Sequence, residues 1–264
     1  MKKLKNKRLF LLDMDGTIYI DNTLFDGTLD FLNYVKSING KYMFLTNNSS
    51  KSVEKYVEKL EGLGISAGEE DFFTSTDATV LYLHKNYPAK KIYAFGTKAF
   101  KQQLKNSGIN VVDTLQDDID CLVIGFDTEL TFQKLEDACI LLNRGVDYIA
   151  TNPDWVCPTW YGYVPDCGSV CEMLYRATKR RPVFIGKPEP AMALLAIEKS
   201  GFTPEETLMI GDRIYTDIAC GKNAGISTAL VLSGEATLAD VEESSVKPDF
   251  IFGSIKDIYE ALKE

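Results

Sequence analysis

Near its N-terminus the chain carries Asp13-Met14-Asp15-Gly16-Thr17, two carboxylates two residues apart, followed by a glycine and a hydroxyl. The apolar run Leu9-Phe10-Leu11-Leu12 ahead of them reads as a strand, so the acids sit where the chain leaves a sheet and turns. In such a pair one carboxylate can attack an electrophile while the other moves a proton. The turn amides and the hydroxyl, at Gly16 and Thr17, are candidates to receive anionic oxygens. Taken alone, the pattern is also that of an ordinary Asp-Gly turn.

Three further segments repeat the arrangement of an apolar run ending on a polar residue. Met43-Phe44-Leu45 leads into Thr46-Asn47-Asn48-Ser49-Ser50, which offers a hydroxyl, the Asn47 amide and helix N-terminal N–H groups to an anion. A plain N-cap by Ser49 or Ser50 explains the same residues. Val183-Phe184-Ile185-Gly186 leads into Lys187, and Leu208-Met209-Ile210-Gly211 into Asp212, with Asp217 five residues on. If the four strands are parallel neighbours, these side chains share one edge of a sheet, where open α/β folds bind ligands. Asp13, Asp15, Asp212 and Asp217 gathered there would repel one another unless Lys187 and a hard cation lay among them. Oxygen-only ligation suits Mg²⁺. Separately, Asp212 and Asp217 are also what a helix N-terminus attracts.

The elements that must position these groups follow from periodicity. Strands are expected at 8–13, 41–46, 91–95, 120–126, 146–151, 182–186, 207–211, 228–232 and 249–252, alternating with amphipathic stretches at 28–39, 51–63, 131–144, 169–179, 189–200 and 214–224. In the second of these stretches Val53, Tyr56, Val57, Leu60 and Leu63 recur at three- and four-residue spacing, one apolar helical face. Strand and helix in alternation predict an α/β fold with a mainly parallel sheet.

Composition narrows the function. Of 264 residues, 38 are acidic and 29 basic, for a net charge of −9, a poor field for nucleic acid or anionic membranes. The basic start is followed by only four apolar residues before Asp13, too few for a signal peptide, and no run reaches membrane-span length; a cytoplasmic location is expected. Six cysteines without a CxxC pair read as reduced, buried thiols. A single histidine, His84, argues against His-dependent triads and multi-His metal centres.

Taken in order, DxDGT at 13–17, Thr46, Lys187 and GDxxxTD at 211–217 resemble the signature of the haloacid dehalogenase superfamily of aspartate-nucleophile phosphotransferases. Residues 18–45 leave room for little more than one βα unit of about 30 residues, whereas 47–186 can hold an inserted domain. The Thr46-Asn47-Asn48-Ser49 string, Thr151-Asn152-Pro153-Asp154 and Gly221-Lys222-Asn223-Ala224-Gly225 look like the NagD-type, nitrophenylphosphatase-like branch.

The resemblance implies a Rossmann-like core at 1–76 and 182–264 with an α/β cap at 77–181. It implies a phosphomonoester hydrolase acting on a small phosphorylated metabolite, such as a sugar phosphate or nucleoside monophosphate. Asp13 would be the nucleophile that forms an aspartyl phosphate, and Asp15 the proton donor and acceptor. Thr46 and Lys187 would bind phosphoryl oxygens, with Asn47, Gly16 and Thr17 as further phosphate contacts. Asp13, the Asp15 carbonyl and Asp212 would hold Mg²⁺, with Asp217 ordering the metal's surroundings. A homodimer through the cap would fit the family.

Both tryptophans, Trp155 and Trp160, fall with Tyr161 and Tyr163 in a cap segment that could face the leaving group. Two alternatives carry less: a mutase of the same superfamily, whose cap would need space after the first motif, and a non-enzymatic aspartate-phosphorylated switch, which would leave Asp15 without purpose.

Overall fold

The computed structural model describes residues 2–159 and 161–264. They divide into two compact units: one made of the residues up to Thr46, Tyr56–Phe73 and Lys187–Glu264, the other of Asn47–Lys55 and Thr74–Gly186.

The first unit is built on a six-stranded sheet ordered Phe250–Phe252, Ser227–Val231, Thr207–Gly211, Leu9–Leu12, Lys41–Thr46, Phe72–Thr74. Leu9–Leu12 lies near the middle and pairs in parallel on both sides, Leu9 opposite Thr207 and opposite Lys41. All four of its residues are buried, as a run apolar at every position requires in a sheet covered on both faces. Phe10 meets Phe31 of helix Thr28–Ser37 edge-on at 5.3 Å. That helix packs beside Ile255–Lys263, where the Tyr34 hydroxyl donates to the Leu262 carbonyl at 3.0 Å. From Leu9–Leu12 the chain steps one way to Lys41–Thr46 and later the other way through Thr207–Gly211 to Phe250–Phe252. The reversal of strand order makes the carboxyl end of Leu9–Leu12 the topological switch point, the usual ligand position in such sheets.

The second unit holds its own parallel sheet, ordered Val183–Phe184, Asp147–Ala150, Cys121–Ile124, Ile92–Phe95, Val111–Val112. Phe95, Leu122, Ile124, Leu141 and Leu174 lie in its core. An antiparallel hairpin pairs Val156–Thr159 with Gly162–Pro165, and its Cys157 and Val164 pack against that core; Trp160 lies outside the described residues.

Two differences from the sequence reading bear on the site. The strand before Lys187, expected in the same sheet as Asp13, is only Val183–Phe184 and pairs with Asp147–Ala150 of the second unit. An apolar run does not say which sheet it joins. Here helix Cys167–Thr178 precedes it and completes a crossover from Asp147–Ala150.

The second difference concerns residues 47–55, expected in the core but grouped with the second unit. Their polar groups explain why. The Ser49 hydroxyl accepts from the Phe126 N–H at 2.8 Å and lies 3.0 Å from the Thr151 hydroxyl. Thr97 Oγ1 donates to the Ser50 carbonyl at 3.0 Å, and Ser75 Oγ to the Asn47 carbonyl at 2.7 Å.

Candidate active site

Asp13 stands one residue beyond Leu12, its N–H extending the ladder to the Ile210 carbonyl at 2.9 Å. The chain then turns sharply, with the Met14 carbonyl accepting from the N–H groups of Thr17 at 3.1 Å and Ile18 at 3.0 Å. Gly16 makes the turn possible at φ +90°, and a Cβ there would stand 2.5 Å from Asp212 Oδ2. On the neighbouring strand the Leu12–Phe44 register brings Leu45 beside Asp13, with the buried Thr46 next.

Lys187 ties these ends together. Its buried ammonium donates to Asp13 Oδ1 at 2.7 Å, to Asp217 Oδ1 at 2.6 Å and to the Leu45 carbonyl at 2.9 Å. The stretch expected as one helix at 214–224 begins as a π-helical turn, Ile214–Ile218, and becomes an α-helix over Ala219–Asn223. That turn directs Asp217 back toward its start, where Oδ2 accepts the Arg213 N–H at 3.0 Å. Asp212 is held by the loop after strand Ser227–Val231. Glu235 N–H donates to its Oδ2 at 2.7 Å, and Ala236 N–H to its carbonyl at 3.1 Å.

The electrostatics of this cluster are unbalanced. Asp13, Asp212 and Asp217 each place a carboxylate oxygen within 4.8 Å of the others, so three repelling pairs face one ammonium that touches two of the three acids. At an effective dielectric of ~20, charges ~4 Å apart interact by about 4 kcal/mol, so the repulsion is not negligible. Burial, followed by the charge of Asp217, pushes the Asp212 carboxyl up to about 7. Burial likewise raises Asp13 well above the usual carboxylate range, against the pull of Lys187. Lys187 is drawn down by burial, yet Asp13 and Asp217 outweigh that and keep its ammonium protonated.

Asp212 Oδ1 is buried without a hydrogen-bond partner among the described residues. An orphaned carboxylate oxygen beside two other acids is an all-oxygen donor set of the kind a hard divalent cation takes. The residues therefore fit Mg²⁺.

Asp13, Lys187, Asp212 and Asp217 are brought together as the sequence suggested. The Asp15 carboxylate lies apart from the acid cluster, partly exposed, with Oδ1 3.7 Å from Lys59 Nζ. Gly16 and Thr17 do not offer their backbone donors to an anion, because the Gly16 N–H is bonded to the Tyr19 carbonyl at 2.9 Å and that of Thr17 to Met14. Thr17 itself is fully buried. The Asn47 side-chain amide, within the second unit, donates to Asp154 Oδ1 at 3.2 Å.

Two contributors escaped the sequence reading. Lys59 belongs to a helix assigned only a packing role. The loop Ser233-Gly234-Glu235 grips Asp212, and Ser233 Oγ donates to the Gly16 carbonyl at 2.8 Å. Its signal was a glycine just past a strand end on the same sheet edge.

Residues 10–110 match the family model described as haloacid dehalogenase-like hydrolase, and residues 184–258 match a HAD-hydrolase-like model. The acid sugar phosphatase of Staphylococcus aureus (strain MRSA252) is 34% identical over 261 residues, 99% of each chain. The chain belongs to the haloacid dehalogenase-like hydrolases.

Among solved structures, this haloacid dehalogenase-like hydrolase resembles the 4-nitrophenylphosphatase of Thermotoga maritima at a TM-score of 0.92, with 41% identity over 98% of this chain and 99% of that one. A putative nagD protein matches at 0.88 and 37% identity, over 98% and 99% of the two chains. The glycerol phosphate phosphatase of Mycobacterium tuberculosis in complex with magnesium matches at 0.90 and 27% identity, over 97% of this chain and 77% of that one. The haloacid dehalogenase-like hydrolase described here is thus a phosphatase of the NagD type, with a parallel-sheet core of the shared fold. Among the described residues no helix is long and apolar enough to cross a membrane.

Proposed function

We propose that the chain is a Mg²⁺-dependent phosphomonoesterase for small phosphorylated metabolites, working through an aspartyl phosphate on Asp13. The observation that carries this reading is the cluster of Asp13, Asp212 and Asp217 around Lys187, with one Asp212 oxygen left unbonded. The names of the relatives, acid sugar phosphatase and glycerol phosphate phosphatase, favour a phosphorylated sugar or polyol as substrate.

Asp13 attacks phosphorus, and the bond to the leaving oxygen breaks with its electron pair on that oxygen. Asp15 delivers a proton to the same oxygen, then takes one from the water that hydrolyses the acyl phosphate. Lys187 holds Asp13 in line and, with Thr46, offers positive charge and a hydroxyl to the phosphoryl oxygens. Asp13, the carbonyl of Asp15 and Asp212 would hold Mg²⁺, while Asp217 keeps Lys187 in place. When bound, the cation would neutralise charge between the nucleophile and the transferred group. The inserted unit, with its exposed Trp155, Tyr161 and Tyr163, is assigned the choice of leaving group.

The test is phosphate release with and without Mg²⁺ over a panel of sugar, polyol and nucleoside phosphates, with Asp13→Asn as the blank. Turnover that persists in Asp13→Asn, or that is indifferent to chelation, would reject the reading.

A further inference from the structure

Lys59 is the feature of the core that the reaction so far leaves unused. It sits in the last turn of helix Val53–Gly62, next to the buried Leu60, with its side chain about one-fifth exposed. Its ammonium lies 3.6 Å above the centre of the buried Tyr19 ring and 3.7 Å from Asp15 Oδ1. A lysine that merely decorated the surface would extend into water; this one spends its length reaching two groups of the nucleophile turn.

Those two groups are already joined. Asp15 and Tyr19 form a backbone bridge, and the Tyr19 carbonyl accepts the Gly16 N–H at 2.9 Å. The backbone of the turn is therefore fixed from within, while the Asp15 side chain, about one-third exposed, reaches beyond it to the Lys59 ammonium. An ammonium seated on an aromatic face is restrained in position. A carboxyl paired with it inherits that restraint.

We propose that Lys59 is a positioning residue for Asp15, aiming its carboxyl at the leaving-group oxygen. This rests on the reading of Asp15 as proton donor. In that step the Asp15 O–H bond breaks, the proton goes to the leaving oxygen as the P–O bond gives up its electron pair to it, and the negative charge appears on Asp15. Lys59 faces that charge as it forms, so the ammonium serves the transition state more than the ground state. A small displacement of a reacting group is costly: ~1 Å can take about a hundredfold from a rate.

The experiment compares 4-nitrophenyl phosphate, whose leaving group departs readily without a proton, with phenyl phosphate, which has nearly the same shape and needs one. Asp15→Asn is the reference and Lys59→Met the probe, with Lys59→Arg as the conservative variant. Thermal melting of each protein is recorded alongside kcat and KM. For Lys59→Met the expected result is a fall in kcat of about tenfold on phenyl phosphate and less than about twofold on 4-nitrophenyl phosphate, with KM and melting temperature near wild type. Lys59→Arg should restore most of the loss.

Equal losses on both substrates, or a rise in KM with kcat unchanged, would overturn the proposal in favour of a structural or substrate-binding lysine. If Asp15→Asn itself shows no preference for the better leaving group, the proton-donor reading fails instead, whatever Lys59 does.

Discussion

Asp217 is committed to Lys187: one carboxylate oxygen accepts its ammonium at 2.6 Å and the other is occupied by the Arg213 N–H at 3.0 Å. With both oxygens engaged, Asp217 is placed to fix the lysine rather than to reach the phosphate. Lys187 in turn reaches Asp13 at 2.7 Å, so the position of the nucleophile depends on a residue it does not touch in that chain of bonds.

Lys187→Met should therefore be costly twice over. It leaves the buried acids without their ammonium, a loss of about 3–5 kcal/mol of stability in metal-free buffer. Turnover should fall at least about a hundredfold as phosphoryl binding goes with it. Urea unfolding and steady-state assays read the two effects separately, and a variant of wild-type stability would contradict the buried-pair account.

Metal-free protein should also lose stability as pH rises. The Asp212 carboxyl moves from an ordinary 3.8 to about 7 on burial, so the folded chain binds the proton more tightly than the unfolded one. Its favourable contribution is present at low pH and lost between about 4 and 7, by up to about 4 kcal/mol. Asp212→Asn should flatten that slope, measured by unfolding across the pH range in chelator. Added Mg²⁺ should raise the melting temperature of the wild type and leave that of Asp212→Asn much less changed.

Gly16→Ala adds one methyl group at a position with φ +90°, aimed at Asp212 Oδ2. The backbone cost is about 1–2 kcal/mol. The larger effect should be on activity, because Asp212 must move from its place beside Asp13. A drop in Mg²⁺ affinity, followed by titrating activity against the metal, distinguishes this from simple destabilisation.

Trp155→Ala removes a ring that is about half exposed, and should leave stability unchanged within about 0.5 kcal/mol. If the inserted unit selects the leaving group through this segment, the order of preference across a panel of phosphorylated metabolites should change, while 4-nitrophenyl phosphate is hydrolysed as before. An unaltered order would remove Trp155 from substrate choice.

Much of this was legible because buried parallel strands are written as unbroken apolar runs, and Leu9–Leu12, Lys41–Thr46 and Thr207–Gly211 end at the polar residues that follow them. What could not be read was partnership across space. Val183–Phe184 carries no mark of its sheet, and residues 47–55 join the second unit through hydroxyls, Ser49 above all, that look like helix caps. Gly16 and Thr17 look like anion donors until the turn uses up their N–H groups. Lys59 sits among helix positions that periodicity assigns to packing, and only the fold brings it over Tyr19.

The strand order has a consequence for how the protein is made. Leu9 pairs with Thr207, so the two strands are separated by about three-quarters of the chain. At ~5–20 residues per second, the first strand waits about 10–40 s for that neighbour, with only Lys41–Thr46 at hand to cover one side. The nucleophile is among the earliest residues translated, and a nascent chain cut short before Thr207 would lack both one neighbour of the strand that carries it and the Asp212 and Asp217 carboxylates, even with the second unit complete.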